Sequence, residues 1–185
     1  LIHYTAAMKQ VVCINWGTAY GAPYINRLYA MVSRNITPPF RFVAFTDTQE
    51  GVRPEVDCFD LPPMPGGVIP QKTPGKWQKA RPWASELGAL DGNYLFLDLD
   101  VLVTASLDPF FDFGDPDQVI LGLNAAKYPL KRGQTSVYRA PVGKLAPLQT
   151  LFADNPQSVA DEYRYEQFFV AKNAPGGVDF WPRSW

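Results

Sequence analysis

A chain of 185 residues with 46% hydrophobic and 14% aromatic side chains carries enough apolar surface for one folded core, which excludes a disordered polymer. With 17 Lys and Arg against 18 Asp and Glu, the formal net charge is −1, which excludes a protein whose affinity comes from neutralising nucleic-acid phosphates. No apolar run approaches the roughly 20 residues of a transmembrane helix, so the chain reads as soluble or at most peripheral to a membrane.

Residues 1–7 lack the cationic stretch and long apolar core of a signal peptide and read as a leader ahead of Met8, which leaves residues 8–185 as the domain. Residues 11–15 are an apolar run of strand length. Residues 23–35 place Tyr24, Leu28, Met31 and Val32 near helical spacing behind Pro23, a favoured residue of a first turn. Residues 41–46 are apolar on both faces, as in a strand covered from two sides, and residues 56–60 form a short strand. Pro62, Pro63, Pro65, Pro70 and Pro74, with Gly66, Gly67 and Gly75, make residues 61–75 a long loop of the kind that carries function. A helix is predicted over residues 77–88, with a boundary or kink at Arg81 because proline follows it.

Residues 94–97 are the most strand-like run, the apolar pattern resumes at 101–103, and Val119–Leu123 and residues 136–138 are further strands. Residues 144–153 and 161–171 read as helices. Alternating strands and helices predict a single α/β domain with a mostly parallel central sheet flanked by helices. Cys13 and Cys58 show no metal or disulfide spacing and are read as free thiols. The tripeptide Asn35-Ile36-Thr37 matches a glycosylation sequon but carries no functional weight. The aromatic-rich residues 178–185 read as a truncated end or one missing its tail.

The most informative motif is Tyr94-Leu95-Phe96-Leu97-Asp98-Leu99-Asp100. Residues i and i+2 of an extended chain share a face, and the carboxyl end of a strand in an open α/β sheet is where ligands bind. Two carboxylates there need a cation or hydrogen-bond donors to offset their desolvation. Asp98 and Asp100 are therefore candidate ligands for Mn²⁺ or Mg²⁺, hard cations that leave positions for a nucleotide diphosphate. The plain alternative is that both aspartates only cap a turn.

Several segments then fall into one order: Asn15-Trp16-Gly17, the helix from Tyr24 to Tyr29, Phe42-Val43-Ala44-Phe45-Thr46-Asp47, Lys76-Trp77-Gln78-Lys79, Asp98-Leu99-Asp100, and Leu107-Asp108-Pro109-Phe110-Phe111. Together they resemble a GT-A-type glycosyltransferase of family 8, which includes glycogenin-like enzymes and bacterial lipopolysaccharide glycosyltransferases. The resemblance implies transfer of a sugar from a nucleotide-sugar donor, usually a UDP-sugar with Mn²⁺, to a glycan or other hydroxyl acceptor. It leans towards retention of configuration, and it implies a bacterial cytoplasmic enzyme, at most at the inner face of the membrane.

By the same resemblance Asp100 is a direct metal ligand, and Asp98 is shared between metal and donor. Leu99 lies between them, and Lys79 points at the donor with Lys76 and Arg81 as basic neighbours. Asn15, Trp16, Gly17 and Tyr20 hold the nucleobase, with Asp47 either on the base or ribose or a simple turn residue. Glu166-Gln167 matches an acidic-Gln pair near the transferred sugar, with Glu166 as base or as stabiliser of a developing cation, or else a helix-surface carboxylate. Thr135-Ser136-Val137-Tyr138 stands where relatives have an Asn-Ser-Gly-type strand beside the donor sugar, and departs from that pattern. Relatives also take a third metal ligand from a C-terminal histidine, whereas the sole histidine here is His3.

Three other readings compete. A haloacid-dehalogenase-type phosphatase would use Asp98 as nucleophile, but Leu102 and the early Asp115 and Asp117 fit its pattern poorly. A nucleotidyltransferase lacks its Gly-rich basic loop, because Trp16 to Gly21 is aromatic instead. A sugar-nucleotide-binding relative without catalysis is the third. The acceptor is expected at the variable loops 61–75 and 123–134.

Overall fold

A computed structural model describes residues 8–124 and 133–185; residues 1–7, with His3, and residues 125–132 of the expected acceptor loop lie outside the described residues. Seven strands form one sheet: β1 Lys9–Asn15, β2 Phe40–Thr46, β3 Asp57–Phe59, β4 Asn93–Leu97, β5 Val119–Leu123, β6 Gly133–Pro141 and β7 Val178–Phe180. Their order is β3-β2-β1-β4-β6-β5-β7. Only β6 is antiparallel to its neighbours, β4 and β5, while the other pairs are parallel.

The apolar strands have the two-sided burial that their composition implies. Val12, Ile14, Val43, Phe45 and Phe96 enter one core layer; Val11, Cys13, Phe42, Ala44 and Leu95 enter the layer on the opposite face. Helix α1, Ala22–Arg34, has Pro23 in its first turn and buries Ile25, Leu28 and Val32 on the second layer. Both cysteines are free, Cys13 buried and Cys58 partly so. No helix among the described residues is long and apolar enough to cross a membrane.

Several predicted elements differ. The helix expected over 77–88 is a four-residue turn, α2 Pro74–Trp77, running into a 3-10 segment, Gln78–Trp83. Pro82 lacks an N–H and its ring crowds the preceding turn, so the α pattern cannot extend through it. The loop 61–75 contains a short 3-10 turn, Pro65–Gly67. Residues 101–103 form no strand, and Leu102 is 77% exposed. A short helix the sequence did not reveal, α3 Asp108–Asp112, follows. The expected strand 136–138 is the nine-residue β6. Helix α4 spans Ala146–Asp154, and the expected helix 161–171 is two, α5 Pro156–Tyr163 and α6 Glu166–Asn173, broken at Arg164 with φ +62°.

Two charged side chains staple α3 in place. Asp108 accepts from Lys9 Nζ at 2.8 Å and from the Thr37 hydroxyl at 2.6 Å. Despite some desolvation, Lys9 and Thr37 bring its carboxyl down to about 2. Arg139 of β6 is buried and donates to the carbonyls of Phe110, Phe111 and Asp115 at 2.9, 3.1 and 2.9 Å. Removing that guanidinium leaves three part-buried carbonyl bonds without their donor. Arg139→Met is therefore expected to lower unfolding free energy by about 3 kcal/mol in a urea titration, and a loss under about 1 kcal/mol would mean that water replaces the donor at little cost.

The chain runs from β1 outward through β2 to β3, then returns to place β4 on the other side of β1. This change of direction opens a crevice at the carboxyl ends of β1 and β4, the usual ligand position in such sheets.

Candidate active site

The turn after β4 carries Asp98 and Asp100 into that crevice, a cleft of about 650 Å³. It is fixed from β6: the Asp98 N–H donates to the Ser136 carbonyl at 2.9 Å. Leu99, between the aspartates, is buried beside the cleft, while Asp100 is exposed.

Lys79 rises from the 3-10 segment, not from an α-helix, and its side chain is only 11% exposed. Its ammonium lies 2.9 Å and 3.0 Å from the two oxygens of Asp98, 3.1 Å from the Thr135 carbonyl and 3.4 Å from Glu166 Oε1. The ring of Phe96 lies 5.5 Å away. Burial alone would draw the Lys79 pKa down, but Glu166 and Asp98 outweigh it and hold the ammonium charged.

Glu166 is the first residue of α6 and is buried, so it is neither inside a long helix nor a surface carboxylate. The Thr135 hydroxyl donates to its Oε1. Burial pushes the Glu166 carboxyl above the usual range, against the opposing pull of Lys79 and Thr135. Gln167 follows it along the cleft wall.

The loop after β1 forms the other wall. Trp16 and Tyr20 line the cleft, and the Tyr20 hydroxyl reaches Asp100 Oδ2 at 3.4 Å. The Asp100 charge pushes the Tyr20 phenol up. Asn15, Gly17 and Asp47 stand behind this wall rather than lining it. Asn15 donates to Thr46 Oγ1 at 3.1 Å and accepts from the Gly21 N–H at 3.0 Å. Gly17 has φ +63°, which disfavours any side chain, and its N–H donates to Asp47 Oδ2 at 2.6 Å. These bonds tie the aromatic loop to the ends of β1 and β2. Lys76 lines the cleft, whereas Arg81 turns away to Gln78 Oε1 at 2.7 Å and the Pro62 carbonyl at 2.5 Å.

The structure thus brings Trp16, Tyr20, Lys79, Asp98, Leu99, Asp100, Glu166 and Gln167 around one space. Ser136, in the segment expected beside the donor sugar, lines the cleft, while sequence reasoning missed the contacts of Thr135 and the part taken by Tyr165 in the wall. The resemblance sets residues 135–138 beside the donor sugar, but no local pattern signals the bonds that Thr135 makes to Glu166 and Lys79.

Among the described residues no three His, Cys, Asp or Glu side chains gather to hold a metal. The chemistry of the donor set nevertheless fits a hard cation. Lys79 lies directly against Asp98 and Glu166, whereas among the described residues Asp100 makes no ion pair. Mg²⁺ typically needs only one or two protein carboxylates when phosphate and water complete its shell.

No family model matches the chain, and no curated protein matches it in sequence. Solved structures do match. The galactosyltransferase LgtC, in complex with donor and acceptor sugar analogues, aligns at 16% identity and a TM-score of 0.67, over 92% of this chain and 72% of that one. The bifunctional glycosyltransferase WbbM in its apo form aligns at 14% identity and 0.63, over 100% of this chain and 40% of that one. The apo form of the glycosyltransferase GlyE of Streptococcus pneumoniae TIGR4 aligns at 12% identity and 0.63, over 95% and 45%. The chain spans less than half the length of WbbM and GlyE. Its seven-stranded sheet and flanking helices are the GT-A fold of these glycosyltransferases.

Proposed function

We propose that the chain is a glycosyltransferase that moves a sugar from a nucleotide-sugar, a UDP-sugar by preference, to a hydroxyl of a glycan or other acceptor. The observation that carries this reading is the convergence of Asp98, Asp100, Lys79 and Glu166 in one cleft at the carboxyl ends of parallel strands. The fold shared with LgtC, WbbM and GlyE supports it.

Asp100, with Asp98, would hold Mn²⁺ or Mg²⁺. When bound, such a cation supplies Lewis-acid stabilisation of the departing nucleotide diphosphate. The aromatic loop carrying Trp16 and Tyr20 lines the cleft and would receive the base, and Lys76 and Lys79 would add positive charge for the diphosphate. In the transfer, the bond from the anomeric carbon to the diphosphate oxygen breaks and a bond to the acceptor oxygen forms. The acceptor hydroxyl loses its proton, and Glu166 is the buried carboxylate available to take it or to face the cationic carbon.

The phosphatase reading loses its support, because Asp115 and Asp117 do not reach the cleft to complete a metal site beside Asp98. Calorimetric titration with UDP, UDP-glucose, UDP-galactose and GDP-mannose, each with and without Mn²⁺, followed by a donor-hydrolysis assay, tests the proposal. Manganese-dependent binding with slow hydrolysis is the expected result. Binding without any turnover leaves only the non-catalytic reading, and no binding at all removes the nucleotide-sugar reading.

A further inference from the structure

The β5–β6 ladder changes register at the site. Leu121 pairs with Tyr138, yet the next residue, Gly122, pairs with Gln134. Thr135, Ser136 and Val137 are therefore left without partners on β5. Such bulges re-aim side chains and backbone groups that a regular ladder would commit elsewhere.

The groups of this segment reach different parts of the cleft or its supports, the Ser136 carbonyl by continuing the β4–β6 pairing one step beyond β4. The Thr135 hydroxyl donates to Glu166, and its carbonyl accepts from Lys79 at 3.1 Å. The Ser136 carbonyl accepts from the Asp98 N–H at 2.9 Å, and the Val137 carbonyl accepts from the Trp181 indole at 3.1 Å. Thr135 is itself buried, at 3% exposure. One residue thus contacts both the cation and the carboxylate of the cluster, through two separate atoms.

We propose that Thr135 is the positioning residue of this transferase: its hydroxyl fixes the Glu166 carboxylate, while its carbonyl fixes the Lys79 ammonium against Asp98. The inference rests on the transferase reading and adds to it a specific residue. A buried carboxylate with only Lys79 as partner could follow the ammonium and rotate. A hydroxyl from a separate strand removes that freedom, and a β-branched side chain has few rotamers in which to lose the bond. Glu166 then presents one arrangement to the transferred sugar. The departure from the Asn-Ser-Gly-type pattern at this position is on this view a working part of the site.

Two measurements on the whole chain test it. The first needs no donor: a double-mutant cycle in urea unfolding between Thr135→Val and Glu166→Met, for which a coupling of about tenfold in the unfolding equilibrium is expected. The second uses whichever of UDP-glucose, UDP-galactose or GDP-mannose the wild type turns over. Thr135→Val, which keeps the β-branch and the carbonyl, is expected to lower kcat about 10- to 100-fold while the donor KM moves less than about threefold. Thr135→Ser, which restores a hydroxyl, is expected to recover most of that loss.

Coupling with the kcat effect and serine rescue supports the proposal. Absence of coupling overturns it whatever the donors do. Coupling with unchanged kcat in Thr135→Val overturns it as positioning, leaving a structural contact. Coupling in a wild type that turns over no donor sinks the transferase reading and takes the positioning role with it.

Discussion

Replacing Lys79 by methionine is expected to lower unfolding free energy by about 3–5 kcal/mol at neutral pH, the range found when one partner of a buried ion pair is removed. The ammonium lies within 3.4 Å of two carboxylates that share a largely enclosed space, and methionine fills similar volume without charge. The loss should depend on pH, with a sign fixed by Glu166. Its folded carboxyl is raised above the usual range, so the folded state holds the proton more tightly than the unfolded one. Stability from that group is full below the ordinary carboxylate range and is lost as pH rises through the raised folded value.

Without Lys79 that rise is larger, so the deficit of the variant shrinks towards acid and widens towards neutrality. Urea unfolding at pH 5 and pH 8 measures this directly. An equal deficit at both values would show that the ammonium is not the counter-ion of Glu166. Lys76→Ala is the comparison: Lys76 is exposed at the cleft wall, and its loss should leave stability unchanged and weaken donor binding less.

Asp100→Ala carries the second large effect, on binding instead of stability. Asp100 is exposed on the turn after β4, and its carboxylate has the Tyr20 hydroxyl at 3.4 Å as a neighbour, so the substitution opens no core cavity. The melting temperature should stay within a few degrees of wild type, while Mn²⁺-dependent binding of UDP in calorimetry should disappear. Metal-dependent binding that survives in the variant would place the cation elsewhere.

The central strands were legible because a two-sided sheet demands continuous apolar runs, and residues 11–15, 41–46 and 94–97 have them. Asp98 and Asp100 were legible for a related reason: two carboxylates at the end of such a run require a compensating partner. The identity of that partner was not legible. Lys79 approaches Asp98 from 19 positions away, and no local pattern encodes its distance to Asp98 or to Glu166.

The break at Arg164 was missed because a helical pattern of polar and apolar residues continues across it; the positive φ of Arg164 and the extended backbone of Tyr165 separate α5 from α6. That break places Glu166 at a helix start and inside the protein. Asn15 and Asp47 resemble ligand residues in sequence; in the structure Asn15 bonds Thr46 and Gly21, and Asp47 Oδ2 accepts from the Gly17 N–H. Burial, bulges and through-space pairing decide such cases, and each is a property of the assembled sheet.

Trp181 sets an order of assembly. Its indole N–H holds the Val137 carbonyl inside the bulge, and its backbone N–H holds the Leu121 carbonyl where the ladder changes register. Immediately before it, β7 closes the edge of β5. The strands β1, β2 and β3, by contrast, pair among themselves within residues 9–59. Long-range pairings form late because closing the chain over many residues costs entropy first. The strands β1 to β3 are thus expected to pair before residues 178–181 dock beside the Thr135 segment. Refolding would then be followed best at Trp181, whose indole and backbone bonds report the docking of the last strand.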